Sequence, residues 1–141
     1  MAKKVYRAGV IPYYQDSDQN IQMMFMLPSN KKFGGDVFQI AKGKAEDGES
    51  MKEAGLREAN EELGLFVGNI ETLTKVGVFM GRTTIYIALI KDVDMFGDPV
   101  DETERVEWMT LEQFQEVGRE LHKPVVKSAH RLMKKVLSST N

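Results

Sequence analysis

The chain has 141 residues, no cysteine and a formal net charge of −2 at pH 7. Its length predicts a single domain, residues 1–141, with a core large enough to form without disulfide bonds. The lack of cysteine excludes a disulfide framework and a thiolate metal site, and the small net charge provides no general attraction to nucleic acid or to an anionic membrane. No apolar run approaches the roughly 18 residues of a membrane span, so we expect a soluble cytoplasmic protein.

The first part of the sequence is rich in strand-forming residues. Residues 4–14 and 21–27 carry β-branched, aromatic and other apolar side chains on either side of a polar turn at 15–20. This arrangement predicts a β-hairpin. A loop with paired glycines at 28–36 then leads to a short predicted strand at 37–40.

The second half of the chain mixes strands with helices. Two strands are predicted at 70–80 and 83–93, joined around Gly81 and Arg82. The remaining predicted elements are an acidic loop at 94–104, a strand at 105–109, a helix with Thr110 as its N-cap, and a final helix at 123–137. Because strands and helices mix without strict alternation, we predict an α+β fold, an α/β/α sandwich around a mixed β-sheet.

Between these halves the sequence predicts a helix with well-defined ends. Ser50 is a suitable N-cap, and Glu53 three residues later completes a capping box. Gly64 marks the C-terminal end, so the helix spans about 51–63. Gly55 inside this helix costs about 1 kcal/mol relative to alanine. We therefore expect the preceding loop to approach the helix closely at this glycine.

Two glutamates of this helix form a pair. Glu58 and Glu62 are four residues apart and lie on one face, with Glu61 beside them. Like charges at this spacing destabilise an isolated helix by about 0.2–0.5 kcal/mol. A divalent cation would offset the repulsion, and carboxylate oxygens are suitable ligands for Mg²⁺ or Mn²⁺. The alternative is a solvated acidic helix face.

The loop before this helix also has the glycine spacing of a phosphate-binding loop. Gly43 and Gly48 are separated by four residues, but Glu49 stands where that motif requires lysine. Glu46 and Asp47 add further negative charge, which would repel a bare phosphate. The residues therefore favour a metal-dependent site over direct binding of phosphate by lysine.

Nine positions between Gly43 and Leu65 match the pattern G-x5-E-x7-R-E-U-x-E-E-x-G-U, in which U is a bulky or aliphatic residue. This pattern is the Nudix box, and by this resemblance the chain is identified as a member of the Nudix hydrolase family. Its members share an α/β/α sandwich and cleave a nucleoside diphosphate linked to another group. The resemblance therefore implies a pyrophosphohydrolase that uses Mg²⁺ or Mn²⁺.

The resemblance also implies roles for residues of the box. The implied metal ligands are the carboxylates of Glu58, Glu61 and Glu62 and the backbone carbonyl of Gly43. Glu61 would either bind metal or position the attacking water. Glu49 would pair with Arg57, and both would support the catalytic site.

Trp108 points to a further glutamate outside the box. Family members often carry a glutamate six residues before such a tryptophan on a late strand, and here that residue is Glu102. We therefore predict that Glu102 is a metal ligand or the general base. Glu104 is the alternative, and a solvated acidic loop without a catalytic role is the second alternative.

The substrate is less clearly indicated. A lysine directly before the box, here Lys42, is a feature that resembles diadenosine polyphosphate hydrolases and relatives that act on RNA 5′ ends. The region around Gly81 lacks the proline that is typical of ADP-ribose pyrophosphatases. The candidate substrate contacts are basic or aromatic: Arg7, Lys42, Lys44, Arg82 and Tyr86. Because His122 and His130 lack the spacing of a metal site, we interpret them as structural or surface residues.

These observations favour hydrolysis of a nucleoside or dinucleoside polyphosphate. They leave open an ADP-ribose or nucleotide-sugar pyrophosphatase, an RNA 5′-end pyrophosphohydrolase and a non-catalytic Nudix domain that senses a nucleotide. The expected partner is a nucleotide-derived small molecule. We expect no membrane partner, and nucleic acid only in the form of an RNA 5′ end. The sequence does not decide the oligomeric state, and a homodimer is one of the alternatives.

Overall fold

A computed structural model describes residues 4–30, 36–100 and 102–139 of the chain. Its strands are β1 (Arg7–Gln15), β2 (Ile21–Pro28), β3 (Ala41–Lys44), β4 (Ile70–Phe79), β5 (Thr83–Ile90) and β6 (Thr103–Met109). Its α-helices are α1 (Met51–Leu63), α2 (Leu111–Val117) and α3 (Lys123–Ser139). Short 3₁₀ turns at Val67–Asn69 and Glu120–His122 precede β4 and α3.

The strands of the described residues form one mixed sheet around β1. The order is β4-β5-β1-β2-β6, and β3 pairs with β1 outside this path. β1 runs parallel to β5 over residues 7–13. It runs antiparallel to β3 over residues 7–10 and to β2 over residues 13–15. The predicted hairpin of β1 and β2 is therefore confirmed, and β3 occupies the part of β1 that β2 does not reach.

Helices cover both faces of this sheet. Successive residues of a strand point to opposite faces. Ile11 and Tyr13 of β1 belong to a buried cluster that includes Phe114 of α2 and the buried side of α3, whereas Val10 belongs to a cluster that includes Ala59 of α1. The predicted α/β/α sandwich with a mixed sheet is confirmed.

Helix α1 has the ends predicted from the sequence. The Ser50 hydroxyl accepts a hydrogen bond from Glu53 N at 3.0 Å, and Glu53 Oε1 accepts one from Ser50 N at 2.9 Å. Gly64 ends the helix in the left-handed conformation, with φ of 76°. The loop contact predicted at Gly55 is wrong, because a Cβ there would lie 3.2 Å from Val10 Cγ2 of β1. The glycine instead lets α1 pack closely on the sheet.

The segment before α1 also differs from the prediction. The strand expected at 37–40 is reduced to isolated bridges at Phe38 and Gln39, and the regular strand β3 begins at Ala41. Gly43 lies within this strand although glycine disfavours strands. Its backbone pairs with Ala8 of β1, which outweighs that local preference. The box therefore begins on a strand and not in a loop.

The other elements agree with their predictions except at their ends. β5 ends at Ile90 instead of 93, and β6 begins at Thr103 instead of 105. Part of the predicted loop at 28–36 lies outside the described residues. No helix in the described part of the chain is long and apolar enough to cross a membrane.

Candidate active site

The carboxylate pair of α1 lies against β3. Glu58 is half-buried, and Glu62 is 8% exposed. A Cβ added to Gly43 would overlap the carboxylate of Glu58, so only glycine at this position leaves room for that carboxylate. The backbone of β3 therefore limits where the Glu58 carboxylate can lie.

Arg57 connects the acidic residues around it. Its Nε donates to Glu49 Oε2 at 2.7 Å and its Nη2 to Glu49 Oε1 at 3.1 Å, so the predicted ion pair is present and bidentate. Its Nη1 donates to Glu58 Oε1 at 2.8 Å and lies 3.5 Å from Glu61 Oε2. Nη2 also donates to the carbonyl of Lys44 at 2.9 Å. The hydrogen bonds to Glu49, followed by those to Glu58, raise the pKa of Arg57 despite partial burial.

Glu62 is the more buried member of the carboxylate pair. Burial, together with a hydrogen bond to Glu58 and the charge of Glu58, raises the pKa of Glu62 far above its ordinary value. The charge of Glu58 therefore disfavours the ionised form of Glu62. Within the described residues no three acidic or histidine side chains are already arranged to hold a metal ion. The oxygen donors of the pair nevertheless fit a divalent cation, whose charge would favour the ionised form of Glu62.

The segment before β6 brings Glu102 to the same site. Val100 N donates to a carbonyl of α1 at 2.8 Å, and Thr103 Oγ1 donates to the carbonyl of Glu62 at 2.9 Å. These bonds lie on both sides of Glu102, whose charge contributes to the raised pKa of Glu62. The alternative, Glu104, is exposed on β6. Glu102 thus lies near the carboxylate pair, while its role as ligand or base stays a prediction.

Lys42 faces the opposite side of β3 from the carboxylates. Ala41 packs in the cluster with Leu63 of α1, and Gly43 faces Glu58, so strand alternation turns Lys42 the other way. There its side chain passes over Gly9, where an added Cβ would lie 2.8 Å from Lys42 Cβ. A single short strand therefore separates Lys42 from the carboxylate pair.

Two further cations lie near Lys42: Arg7, which is on the same face of the sheet, and Arg119. We call Arg7, Lys42 and Arg119 the cation group. Burial lowers the pKa of Lys42, and the charges of Arg119 and Arg7 lower it further, whereas Glu62 and Glu58 act in the opposite direction. None of the three cations forms an ion pair with a described residue. The site therefore places acidic and basic groups on the two sides of β3.

The other predicted substrate contacts are more dispersed. Lys44 is exposed and lies opposite Arg7 in the pairing of β3 with β1. Arg82 is exposed beside the turn between β4 and β5, and its carbonyl accepts from Arg7 N at 2.9 Å. Tyr86 packs on the cluster beneath α1. The structure therefore groups Lys44 and Arg82 with Arg7 and leaves Tyr86 on the other face of the sheet from Lys42.

Sequence reasoning missed Arg119 altogether. Arg119 N donates to the carbonyl of Phe38 at 2.8 Å, and Arg119 Nη1 donates to Gln39 Oε1 at 3.3 Å across 80 positions of the chain. No local pattern indicates such a contact. His122 in the same segment is fully buried and accepts a hydrogen bond from Ile40 N at 3.1 Å, which confirms its structural interpretation.

A family model described as the NUDIX domain matches residues 3–132. The chain belongs to the Nudix family. The match confirms the resemblance carried by the box, and it identifies the chain as a Nudix pyrophosphohydrolase, an enzyme that acts on phosphoanhydride bonds. Nudix hydrolases generally use divalent metal ions.

Several solved structures share the Nudix fold of this chain. C. elegans Ap4A hydrolase in a binary complex has a TM-score of 0.75 and 15% identity, covering 94% of this chain and 99% of its own. The NUDIX domain of Shewanella oneidensis NrtR, complexed with ADP ribose, has a TM-score of 0.74 and 13% identity, covering 94% and 90%. A mutT/nudix family protein from Listeria innocua has a TM-score of 0.73 and 18% identity, covering 97% and 98%. The likeness at these identities concerns the fold, and no curated protein sequence matches the chain.

Proposed function

We propose that this Nudix enzyme hydrolyses the pyrophosphate linkage of a nucleoside polyphosphate, with a dinucleoside polyphosphate as the first candidate. The observation that carries the proposal is the position of two carboxylates on one side of β3 and of Lys42 and Arg7 on the other. A chain of phosphates can contact both sides, whereas a single phosphate cannot. The fold likeness to C. elegans Ap4A hydrolase supports the same substrate class.

We further propose that Glu58 and Glu62 hold the divalent cation, Mg²⁺ or Mn²⁺, with the carbonyl of Gly43 nearby and Glu61 as a further ligand. The space that Gly43 leaves for the Glu58 carboxylate and the burial of Glu62 support this assignment. Such a cation neutralises phosphate charge and lowers the pKa of water at the site.

The remaining residues position these groups and the substrate. Arg57 fixes the Glu58 carboxylate while Glu49 holds the guanidinium in place from the other side. Glu102 would accept the proton of the attacking water, since its carboxylate is exposed next to the pair. Lys42 and Arg7 would bind phosphate oxygens through charge-assisted hydrogen bonds.

A substrate panel tests this function. Product release would be measured for diadenosine polyphosphates, ADP-ribose, NADH, nucleoside triphosphates and 5′-triphosphorylated RNA, each with Mg²⁺ and with Mn²⁺. We expect the fastest turnover for a nucleoside or dinucleoside polyphosphate. Glu62→Gln keeps the side-chain shape but removes a ligand charge, so its kcat should fall by at least about 100-fold.

Glu116→Gln provides the matched control, because it makes the same change at an exposed position of α2 and should retain full activity. Turnover that persists in Glu62→Gln would contradict the metal assignment. A wild-type protein that binds a nucleotide but hydrolyses none of the panel would contradict the proposed reaction.

ADP-ribose is the second candidate substrate. The observation that favours it is the fold likeness to the NUDIX domain of Shewanella oneidensis NrtR, whose structure contains ADP ribose. A kcat/KM for ADP-ribose above that for diadenosine tetraphosphate in the same panel would select this candidate.

A further inference from the structure

We propose that Arg119 is a substrate-binding residue which, together with Lys42 and Arg7, binds a phosphate beyond the hydrolysed pyrophosphate linkage. This phosphate subsite would make the enzyme prefer substrates with three or more phosphates. The proposal rests on the proposed function of the same site, and it adds the residue that selects the substrate class.

The first argument is that Arg119 is held in place beside β3. Its neighbour Gly118 forms a parallel bridge with Phe38, and Arg119 N donates to the Phe38 carbonyl at 2.8 Å. Two residues later in the β3 segment, Ile40 N donates to His122 Nδ1 at 3.1 Å. Two hydrogen bonds, one at Phe38 and one at Ile40, thus join the segment that leads into β3 to the segment that carries Arg119.

The guanidinium of Arg119 has unused hydrogen-bonding capacity. Of its N–H groups, only Nη1 has a partner in the described part of the chain, Gln39 Oε1 at 3.3 Å. A guanidinium offers five donors in a planar fork that matches the oxygens of a phosphate. Arg119 is therefore positioned by its backbone and by one side-chain bond, while its remaining donors are available to a ligand.

No carboxylate of the described residues forms an ion pair with the cation group. Arg7, Lys42 and Arg119 are each partly buried, and Arg119 and Arg7 both lower the pKa of Lys42. Partly buried like charges without an anionic partner oppose folding. A bound phosphate would remove this cost, and such destabilising arrangements are typical of binding sites.

His122 adds an independent observation. Because its Nδ1 accepts from Ile40 N, the neutral ring carries its proton on Nε2. This Nε2 is buried and has no partner among the described residues. Burial and the nearby charges of Lys42 and Arg119 keep the imidazole neutral at pH 7. The protein around Lys42 and Arg119 thus contains a buried donor without an acceptor among the described residues.

The position of the cation group relative to the carboxylates determines which substrates can use it. A hydrolysed pyrophosphate linkage contains two phosphates that would lie toward Glu58 and Glu62. ADP-ribose has only these two phosphates, so it offers no further phosphate for Arg119 to bind. A dinucleoside tetraphosphate or a nucleoside triphosphate has at least one phosphate more, which can reach the other side of β3.

Steady-state kinetics of Arg119→Gln with diadenosine tetraphosphate and with ADP-ribose test the selection. We expect KM for the tetraphosphate to rise by about tenfold with kcat changed less than about twofold, as for a lost charge-assisted hydrogen bond. For ADP-ribose, kcat/KM should change less than about threefold. Equal losses on the two substrates, or no loss on either, would overturn the proposal.

Two further variants separate charge from structure. Arg131→Gln removes the same charge from an exposed position of α3 and should leave both substrates unaffected. Arg119→Lys retains the charge but not the planar fork, so it should recover part of the affinity for the tetraphosphate. An Arg119→Lys protein as impaired as Arg119→Gln, with the same thermal unfolding midpoint as wild type, would show that charge at this position does not bind substrate and would overturn the proposal.

Binding of inorganic tripolyphosphate, measured by calorimetry in the presence of EDTA, tests the subsite without turnover. We expect Kd to increase by about tenfold in Arg119→Gln and to stay unchanged in Arg131→Gln. A wild-type protein that does not bind tripolyphosphate, or an Arg119→Gln protein that binds it equally well, would overturn the subsite. Because this measurement needs no hydrolysis, its result is distinct from failure of the proposed reaction in the substrate panel.

Discussion

Arg57 and Gly43 together determine the position of the Glu58 carboxylate. Arg57 Nη1 donates to Glu58 Oε1 at 2.8 Å from one side, and the backbone of Gly43 leaves just enough room on the other. Arg57 is itself held by the bidentate pair with Glu49. A carboxylate restrained from both sides is preorganised, which is what a ligand of a catalytic metal requires.

Gly43→Ala tests this restraint. The added Cβ would overlap the Glu58 carboxylate and force it away from Arg57. We expect the affinity for Mn²⁺, measured by calorimetry, to fall by about 10–100-fold, with a similar loss in kcat/KM. Gly68→Ala is the matched control, since an added Cβ at Gly68 meets no atom within 4 Å. Unchanged Mn²⁺ affinity in Gly43→Ala would show that Glu58 is not the ligand that this strand positions.

Small residues allow helix α1 to pack closely on the sheet. Ala54, Gly55 and Ala59 are buried on the face that packs against β1 and its neighbours. Larger residues there would lift the helix and move Glu58 and Glu62 away from β3. The local cost of glycine in the helix is therefore outweighed by the close packing that it permits.

Substitutions at Gly55 measure this balance. Gly55→Ala gains about 1 kcal/mol of helix propensity, but its Cβ would press on Val10 Cγ2 at 3.2 Å, so we expect the free energy of unfolding to change by less than about 1 kcal/mol. Gly55→Leu should lower it by about 1–3 kcal/mol because β1 cannot accept the added volume. Urea denaturation measures both.

Lys52→Leu serves as the control for Gly55→Leu, because Lys52 is exposed on the same helix. A Gly55→Leu protein as stable as Lys52→Leu would contradict the close packing of α1 on β1.

The segment before β3 meets the segment before α3 at a buried histidine. His122 is fully buried at this junction and accepts from Ile40 N. Burial, with the charges of Lys42 and Arg119, lowers the pKa of His122 to about 3. Protonation of this histidine therefore opposes folding, and acid should weaken the junction that holds Arg119 beside β3.

The pH dependence of stability tests this junction. The unfolded chain binds the His122 proton below a pKa of about 6.5, whereas the folded chain binds it only near pH 3. The contribution of neutral His122 is thus complete above pH 7 and is lost as the pH falls below 6.5. Between pH 7 and pH 5 the free energy of unfolding should fall by about 2 kcal/mol through this group alone.

His122→Asn keeps an acceptor for Ile40 N but does not titrate, so denaturant unfolding should show about 2 kcal/mol less pH dependence than wild type. His130→Asn is the comparison. Partial burial and the charge of Lys134 lower the pKa of His130, and we expect a smaller change there than at His122. The same pH dependence in wild type and His122→Asn would contradict the buried, neutral state of this ring.

Local signals predicted the fold class and α1 well because they act within a few residues. The capping bonds of Ser50 and Glu53 span three positions, and the left-handed Gly64 ends the helix by itself. The same signals failed at Gly43, where glycine lies in a strand because β1 supplies its backbone partners. They also failed at Gly55, whose neighbour is β1 and not the adjacent loop.

The helix of the Nudix box and the spacing of its glutamates follow from the sequence alone, and so, through the family pattern, does the class of reaction. Helix periodicity converts a spacing of four residues into a shared face without any tertiary contact. The position of Arg119 near Lys42 follows from contacts between segments about 80 positions apart. Bringing such distant segments together costs loop-closure entropy, and no local pattern in the sequence indicates that they meet.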